Sequence, residues 1–307
     1  RALFLPEDRL RFATYRLASR HGSQLGLAAA DKAGTYRGLL IEHASYPGTL
    51  DSLIAKGEAA LRAAAETLVR TGEAVDLGVV KLEQPLAAPG KIICVGLNYA
   101  DHASEASMKA PDYPTLFARF PSSLIAHSEP IVRPRVSEKL DYEGELVAVI
   151  GKGGRHIPRA AALSHVCGYS IFNDGSIRDF QLRTPQWTVG KNFDNTGPFG
   201  PVFVSADELP PGAHGLKIET RLNGRVMQSA TTADLIFDVA TLVALISEAM
   251  TLEPGDLIIT GTPAGVGAAR KPPVFMKAGD ICEVEIEGIG ILRNPIVDEA
   301  AATADAA

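Results

Sequence analysis

Asp141-Tyr142-Glu143-Gly144-Glu145-Leu146-Val147-Ala148-Val149-Ile150 sets two carboxylates, two residues apart, at the mouth of an unbroken apolar run. The run reads as a buried strand, and in a strand the side chains at i and i+2 share a face. Glu143 and Glu145 therefore aim at one spot. Two like charges there repel unless a proton or a cation intervenes, and hard divalent ions such as Mg²⁺ or Mn²⁺ favour oxygen ligands of this kind. For an isolated Glu-x-Glu the commoner outcome is a solvated strand end, so the pair needs company before it means a metal.

Outward from this strand, short apolar runs recur at residues 92–95, 257–260 and 281–286, separated by Gly, Pro and Asn. They read as strands of a compact β-rich domain. Helical pattern is confined mainly to residues 158–163 and 237–250, too little for the strict alternation of a parallel α/β domain, so a doubly wound sheet is the alternative. Ahead of this region, residues 11–17 and a second strand ending near Leu27 flank His21-Gly22-Ser23 as a hairpin, and residues 49–70 carry the spacing of one or two amphipathic helices. The Pro-rich stretch at residues 84–90 reads as a linker. The expected class is α+β, mainly β, with a small N-terminal α+β module at residues 10–88 and a catalytic domain at 89–298. Residues 1–10 read as a leader, and the Ala-rich tail after Val297 as a fraying end.

Composition narrows the functions. With 307 residues, 46% of them hydrophobic, the chain can bury one large core, and sparse aromatics with 29 Gly and 20 Pro suit short strands better than a helical bundle. A net charge of −6 argues against a nucleic-acid surface. Cys94, Cys167 and Cys282 are odd in number and set in apolar runs, which suits reduced core thiols in a cytoplasmic protein. The longest apolar stretch, residues 235–252, is broken by Asp238 and Glu248, so no membrane span is expected; the first ten residues lack the pattern of a secretion signal.

Further residues carry chemistry. Asp174 follows an apolar run at residues 166–172 and could complete a three-carboxylate set, although an N-cap is the ordinary role of such an Asp. If residues 176–182 are helical, Arg178 lies four from Asp174 and three from Gln181, and the pair could clamp an anionic substrate. His102 and Glu105 are three apart, as a general base and its orienting carboxylate would be, within a segment that continues into a possible lid over residues 107–114. Lys191, in Trp187-Thr188-Val189-Gly190-Lys191-Asn192-Phe193-Asp194, could stabilise a developing enolate. The loop Thr260-Gly261-Thr262-Pro263-Ala264-Gly265-Val266-Gly267 offers hydroxyls and backbone N–H groups but lacks the lysine and spacing of a nucleotide loop.

Taken in order, Gly96-Leu97-Asn98-Tyr99 with His102 and Glu105, Asp141-Tyr142-Glu143-Gly144-Glu145, Asn173-Asp174 with Arg178-Asp179-Phe180-Gln181, Gly190-Lys191-Asn192-Phe193-Asp194 and the Thr260–Gly267 loop resemble the fumarylacetoacetate hydrolase family. The likeness spans residues 91–297. It implies a β-roll or sandwich-like catalytic domain, a homodimer, and Mg²⁺ or Mn²⁺ on Glu143, Glu145 and Asp174. It further implies water activation by His102 and Glu105, assistance by Lys191, and a small anionic dicarbonyl substrate held by Arg178, Gln181 and Thr262. The activity so implied is cleavage of a carbon–carbon bond in a 1,3-diketo acid, in aromatic degradation; the alternative is an isomerase, tautomerase or decarboxylase on the same metal site. Arg119-Phe120 before Pro121-Ser122-Ser123, and Gly175-Ser176-Ile177, depart from the family pattern close to the expected site.

Overall fold

All seven residues of Gly144–Ile150 are buried in a strand whose faces are both covered. Leu146, Ala148 and Ile150 enter one core, while Val147 and Val149 enter another. This is the period of two that a central strand imposes. A computed structural model describes residues 10–19, 22–101 and 112–300 of the chain.

Gly144–Ile150 pairs antiparallel with Val166–Asn173 on one side and with Leu257–Ile259 on the other. Ile92–Gly96 runs parallel to Leu257–Ile259. On the far side, Gly197–Ser205 pairs with Val166–Asn173, and Arg11–Ser19, Gly22–Ala30 and Tyr36–Leu40 follow in turn. Among the described residues this is a twelve-stranded mixed sheet, and its pairing is continuous from the N-terminal hairpin into the later strands. A five-stranded sheet, containing Lys217–Leu222, Ile281–Ile286 and Gly290–Asp298, stacks against its middle.

The core between the sheets joins Leu146, Ala148, Ile171 and Val204 to Ile218, Val284, Ile286 and Leu292, closed at one end by Val239, Leu242, Val243 and Ile246 of the helix Val239–Ala249. On the opposite face of the large sheet, Val147, Val149, Phe172 and Phe203 pack with Leu53, Ile54, Leu61 and Leu68 from the helices Leu50–Lys56 and Glu58–Thr71. Helix, large sheet and small sheet thus form three layers, an α+β, mainly β architecture. The helical segment expected over residues 49–70 divides because Gly57, at φ 91°, ends the first helix; the Thr49 hydroxyl caps its start by accepting the Ser52 N–H.

Two local expectations differ from what forms. Residues 159–165 make a 3₁₀ segment, Arg159–His165, and residues 176–182 do not make one helix. Ser176–Ile177 instead forms a short strand against Leu140–Asp141, and only Arg178–Gln181 is helical. Burial of β-branched Ile177, with the ladder bonds to Leu140, outweighs the i,i+4 pattern. Among the described residues no helix is long and apolar enough to cross a membrane.

The alternation of strand directions brings several strand ends to one edge of the sheet. These are the starts of Gly144–Ile150 and Gly197–Ser205 and the ends of Val166–Asn173, Leu257–Ile259 and Ile92–Gly96. The carboxylates of Glu143, Glu145 and Asp174 and the ammonium of Lys191 meet there.

Candidate metal centre

Glu143 and Glu145 share the face of Val147 and Val149, and Asp174 continues the line of Phe172 from the neighbouring strand. Their carboxylates are buried, with one ligand atom from each lying within 4.8 Å of the others. The backbone fixes this convergence: the Asp174 N–H donates to the Glu143 carbonyl (2.8 Å) and the Glu143 N–H donates to Asn173 Oδ1 (3.0 Å). The Gly261 N–H donates to Glu145 Oε2 at 2.6 Å. Gly261 adopts φ 98°, and a Cβ there would stand 2.7 Å from that of Asn98, so the close approach of this loop requires glycine.

Three buried cations face these acids. Lys191 Nζ donates to Glu143 Oε2 and Asp174 Oδ2, both at 2.6 Å, and lies 5.0 Å from the centroid of the Phe117 ring. Arg178 reaches Glu143 Oε1 at 2.6 Å and Asp141 Oδ2 at 2.8 Å. Arg119 reaches Asp174 Oδ1 at 2.5 Å. Burial opposes the charges of Lys191 and Arg178. The carboxylates of Asp174 and Glu143 for the lysine, and of Glu143 and Asp141 for the arginine, more than offset it and hold both pKa values above their ordinary ones.

The charges do not balance. Asp141, Glu143, Glu145 and Asp174 supply four buried carboxylates against the three cations. The imbalance falls on Glu145, where burial, then the carboxylates of Asp174 and Glu143, push the carboxyl well above its usual range. Three converging hard oxygen donors, in a cluster of four carboxylates that the three cations leave one charge short, fit a divalent cation of the Mg²⁺ or Mn²⁺ type.

The other expected residues fall into distinct places. Gln181 Oε1 accepts from Arg178 NH1 at 2.9 Å, as the three-residue spacing predicts. Arg178, however, pairs with Glu143 and Asp141 and not with Asp174, because the short strand before it breaks the helical register. Its NH2 is buried and has no hydrogen-bond partner among the described residues, which leaves one charged donor for a ligand. The Thr262 hydroxyl donates to the Gly144 carbonyl (3.0 Å) and accepts from Gln228 Nε2 (2.8 Å), so it braces the backbone between the two glutamates. Gly190 allows the Lys191 turn to lie on the Arg178 turn; a Cβ there would stand 2.2 Å from the Gln181 nitrogen. His102, Glu105 and residues 107–111 of the expected lid lie outside the described residues.

Asp141, Arg119, Asn98 and Gln228 are site residues that sequence reasoning passes over. Asp141 accepts from the N–H groups of Gly267 (2.8 Å) and Ala268 (2.9 Å) as well as from Arg178. Asn98 Nδ2 donates to the carbonyls of Thr260 (2.7 Å) and Phe237 (3.0 Å). Gln228 Oε1 accepts the Gly144 N–H at 3.0 Å. Asp141 stands within the same run as the two glutamates, which is a signal of sorts. The others act across long stretches of chain: Asn98 stands in the first family-like motif and Arg119 at a departure from the family pattern, but neither position points to its partners.

Residues 91–297 match the family model described as fumarylacetoacetate (FAA) hydrolase C-terminal. The human mitochondrial oxaloacetate tautomerase FAHD2A is 38% identical over 296 residues, covering 96% of this chain and 94% of the relative. Among solved structures, the fumarylacetoacetate hydrolase of Exiguobacterium antarcticum superposes with a TM-score of 0.79 at 36% identity, covering 94% of this chain and all of its own. The 2-hydroxyhepta-2,4-diene-1,7-dioate isomerase of Mycobacterium marinum gives 0.70 at 33% identity, with coverage of 94% and 100%.

Proposed function

The chain belongs to the fumarylacetoacetate hydrolase family, and from that footing we propose that it is a divalent-metal-dependent keto–enol tautomerase of a small 2-oxo dicarboxylate such as oxaloacetate. The observation that carries this reading is the buried Glu143, Glu145 and Asp174 set with Lys191 bridging two of its members. Likeness along nearly the whole chain to a human protein named as an oxaloacetate tautomerase supports the substrate class.

The three carboxylates would hold Mg²⁺ or Mn²⁺, which when bound supplies Lewis-acid polarisation of a 2-oxo group. Arg178, kept in position by Gln181 and Asp141, offers a substrate carboxylate its NH2, which has no partner among the described residues. Lys191 places a permanent positive charge beside the oxygen on which enolate charge develops, in a site from which bulk water is largely excluded. His102, for which Glu105 is the expected orienting carboxylate, would take the proton from the carbon next to the oxo group and return it to the enolate oxygen.

A second reading keeps the same residues but has His102 and Glu105 activate water to cleave the carbon–carbon bond of an acylpyruvate or fumarylpyruvate type acid. The His-x-x-Glu spacing and the structural likeness to a fumarylacetoacetate hydrolase favour it. The decisive assay presents Mn²⁺-loaded protein with oxaloacetate enol and with a panel of acylpyruvates, with EDTA controls. The proposal expects EDTA-sensitive loss of the enol without fragments. Release of pyruvate plus a second acid as the main reaction moves the assignment to hydrolase, and CO₂ release moves it to decarboxylase. We also propose a homodimer in a reducing compartment, cytoplasmic by expectation although the human relative is named mitochondrial; light scattering reads the assembly.

A further inference from the structure

Arg119 is 2% exposed and spends its guanidinium on four separate acceptors. NH1 donates to Asp174 Oδ1 (2.5 Å) and the Gly175 carbonyl (3.1 Å), Nε to Ser123 Oγ (3.1 Å), and NH2 to Thr196 Oγ1 (2.8 Å). Its carbon lies 5.3 Å from the centroid of the Phe172 ring. Ser123 and Thr196 are themselves tied to backbone: the Ser123 hydroxyl donates to the Phe120 carbonyl (2.8 Å) and the Thr196 hydroxyl to that of Phe193 (2.7 Å). Gly197 keeps this space clear, since a Cβ there would stand 2.8 Å from Arg119 NH2.

The two oxygens of Asp174 are thereby given different tasks. Oδ1 is held from behind by a planar fork anchored on three other points, and Oδ2 alone is turned to Lys191 and the Glu143 side. We infer that Arg119 is a positioning residue that fixes Asp174 as a one-oxygen ligand and so sets the affinity and geometry of the metal site. Charge alone does not account for the arrangement. A lysine would supply the same positive charge, but its single ammonium cannot span Asp174, Ser123 and Thr196 in one plane. If Arg119 acted only through its charge, Arg119→Lys would bind metal as the wild type does; if it acts through the fork, the lysine variant loses affinity although the charge is kept.

This inference rests on the metal reading of the three carboxylates, and the experiment separates the two. Mn²⁺ affinity is measured by calorimetry, and the bound-ion spectrum by electron paramagnetic resonance, for wild type, Arg119→Lys and Thr196→Val, each first shown by circular dichroism to be folded. Loss of an outer contact of this type costs about 10–100-fold in metal affinity. We expect Arg119→Lys to weaken Mn²⁺ by about 10-fold or more, with an altered zero-field splitting. Thr196→Val, which removes one anchor while leaving the Arg119–Asp174 pair, should shift both readouts in the same direction by less. Wild-type affinity and spectrum in a folded Arg119→Lys variant overturn the inference while leaving the metal site standing. Failure of wild type to bind Mn²⁺ overturns both. Should Arg119→Lys fail to fold, an unchanged Mn²⁺ spectrum and affinity in Thr196→Val still contradicts it.

Discussion

Glu143 and Glu145 reach one spot because a strand's period of two puts both on one face, ahead of an apolar run that buries them. Asp174 was legible as a candidate only, since an N-cap explains an Asp at such a place equally well; the structure buries it beside the two glutamates, within reach of a shared cation. Arg119 was not legible as a partner, because its acceptors stand up to 77 residues away and no local pattern points to them. Three outcomes belong to this scale. Glu143→Ala should lose metal binding and turnover together, read by Mn²⁺ titration beside the tautomerase assay. Lys191→Met should retain metal but lose about 10²–10³-fold in kcat, the usual effect of removing one group that stabilises an oxyanion; a kcat within twofold of wild type would remove Lys191 from the reaction. The free cysteines should be poor nucleophiles in the native state: burial pushes Cys167 and Cys282 up to about 12 and Cys94 upward too. Alkylation near neutral pH should therefore be far slower than after denaturation.

The apolar runs were read as strands and are strands, because each is long enough and β-rich enough to be decided locally. Arg178 shows where that ends. Its spacing from Asp174 suggested a shared helical face, yet Asp141↔Ser176 and Leu140↔Ile177 pairing turns the chain and delivers the guanidinium to Glu143. The helix Val239–Ala249 supplies a test of element stability. The Asp238 side chain accepts the Thr241 N–H at 2.8 Å as its N-cap, and Asp238→Ala should cost about 1 kcal/mol. Burial works against the Asp238 carboxylate, but hydrogen bonds from Thr241 and the charge of Arg159 prevail and hold its pKa below the ordinary value. A carboxylate with a depressed folded pKa contributes stability that is present above its unfolded pKa and lost as pH falls through the folded one. The gap between wild type and Asp238→Ala in denaturant melts should accordingly narrow below about pH 4. In the central strand, Leu146→Ala should cost about 2–5 kcal/mol, since both sheets close over that position.

At the scale of the molecule, composition and strand count pointed to a β-rich domain, and the described residues form three layers with a core on each face of the large sheet and a third cluster around Tyr142 and Ile177. How far the N-terminal hairpin would merge with the later strands was not readable from sequence. The Pro-rich stretch at residues 84–90 has the composition of a linker, but pairing of Arg11–Ser19 with Gly197–Ser205 is decided by edges that meet only in three dimensions. The candidate metal centre sits where strands of both directions end, so binding of a cation there should be felt globally. At a Mn²⁺ concentration of about 100 times its Kd, linkage adds about 2.7 kcal/mol, and the melting temperature should rise by several degrees and fall back with EDTA.

Metal binding by the three carboxylates is read by a Mn²⁺ titration of metal-stripped wild type and Glu143→Ala, followed by electron paramagnetic resonance of the free ion. One tightly bound Mn²⁺ per chain is expected in the wild type and none in the folded variant. Equal uptake by both proteins, or none by the wild type, would contradict it.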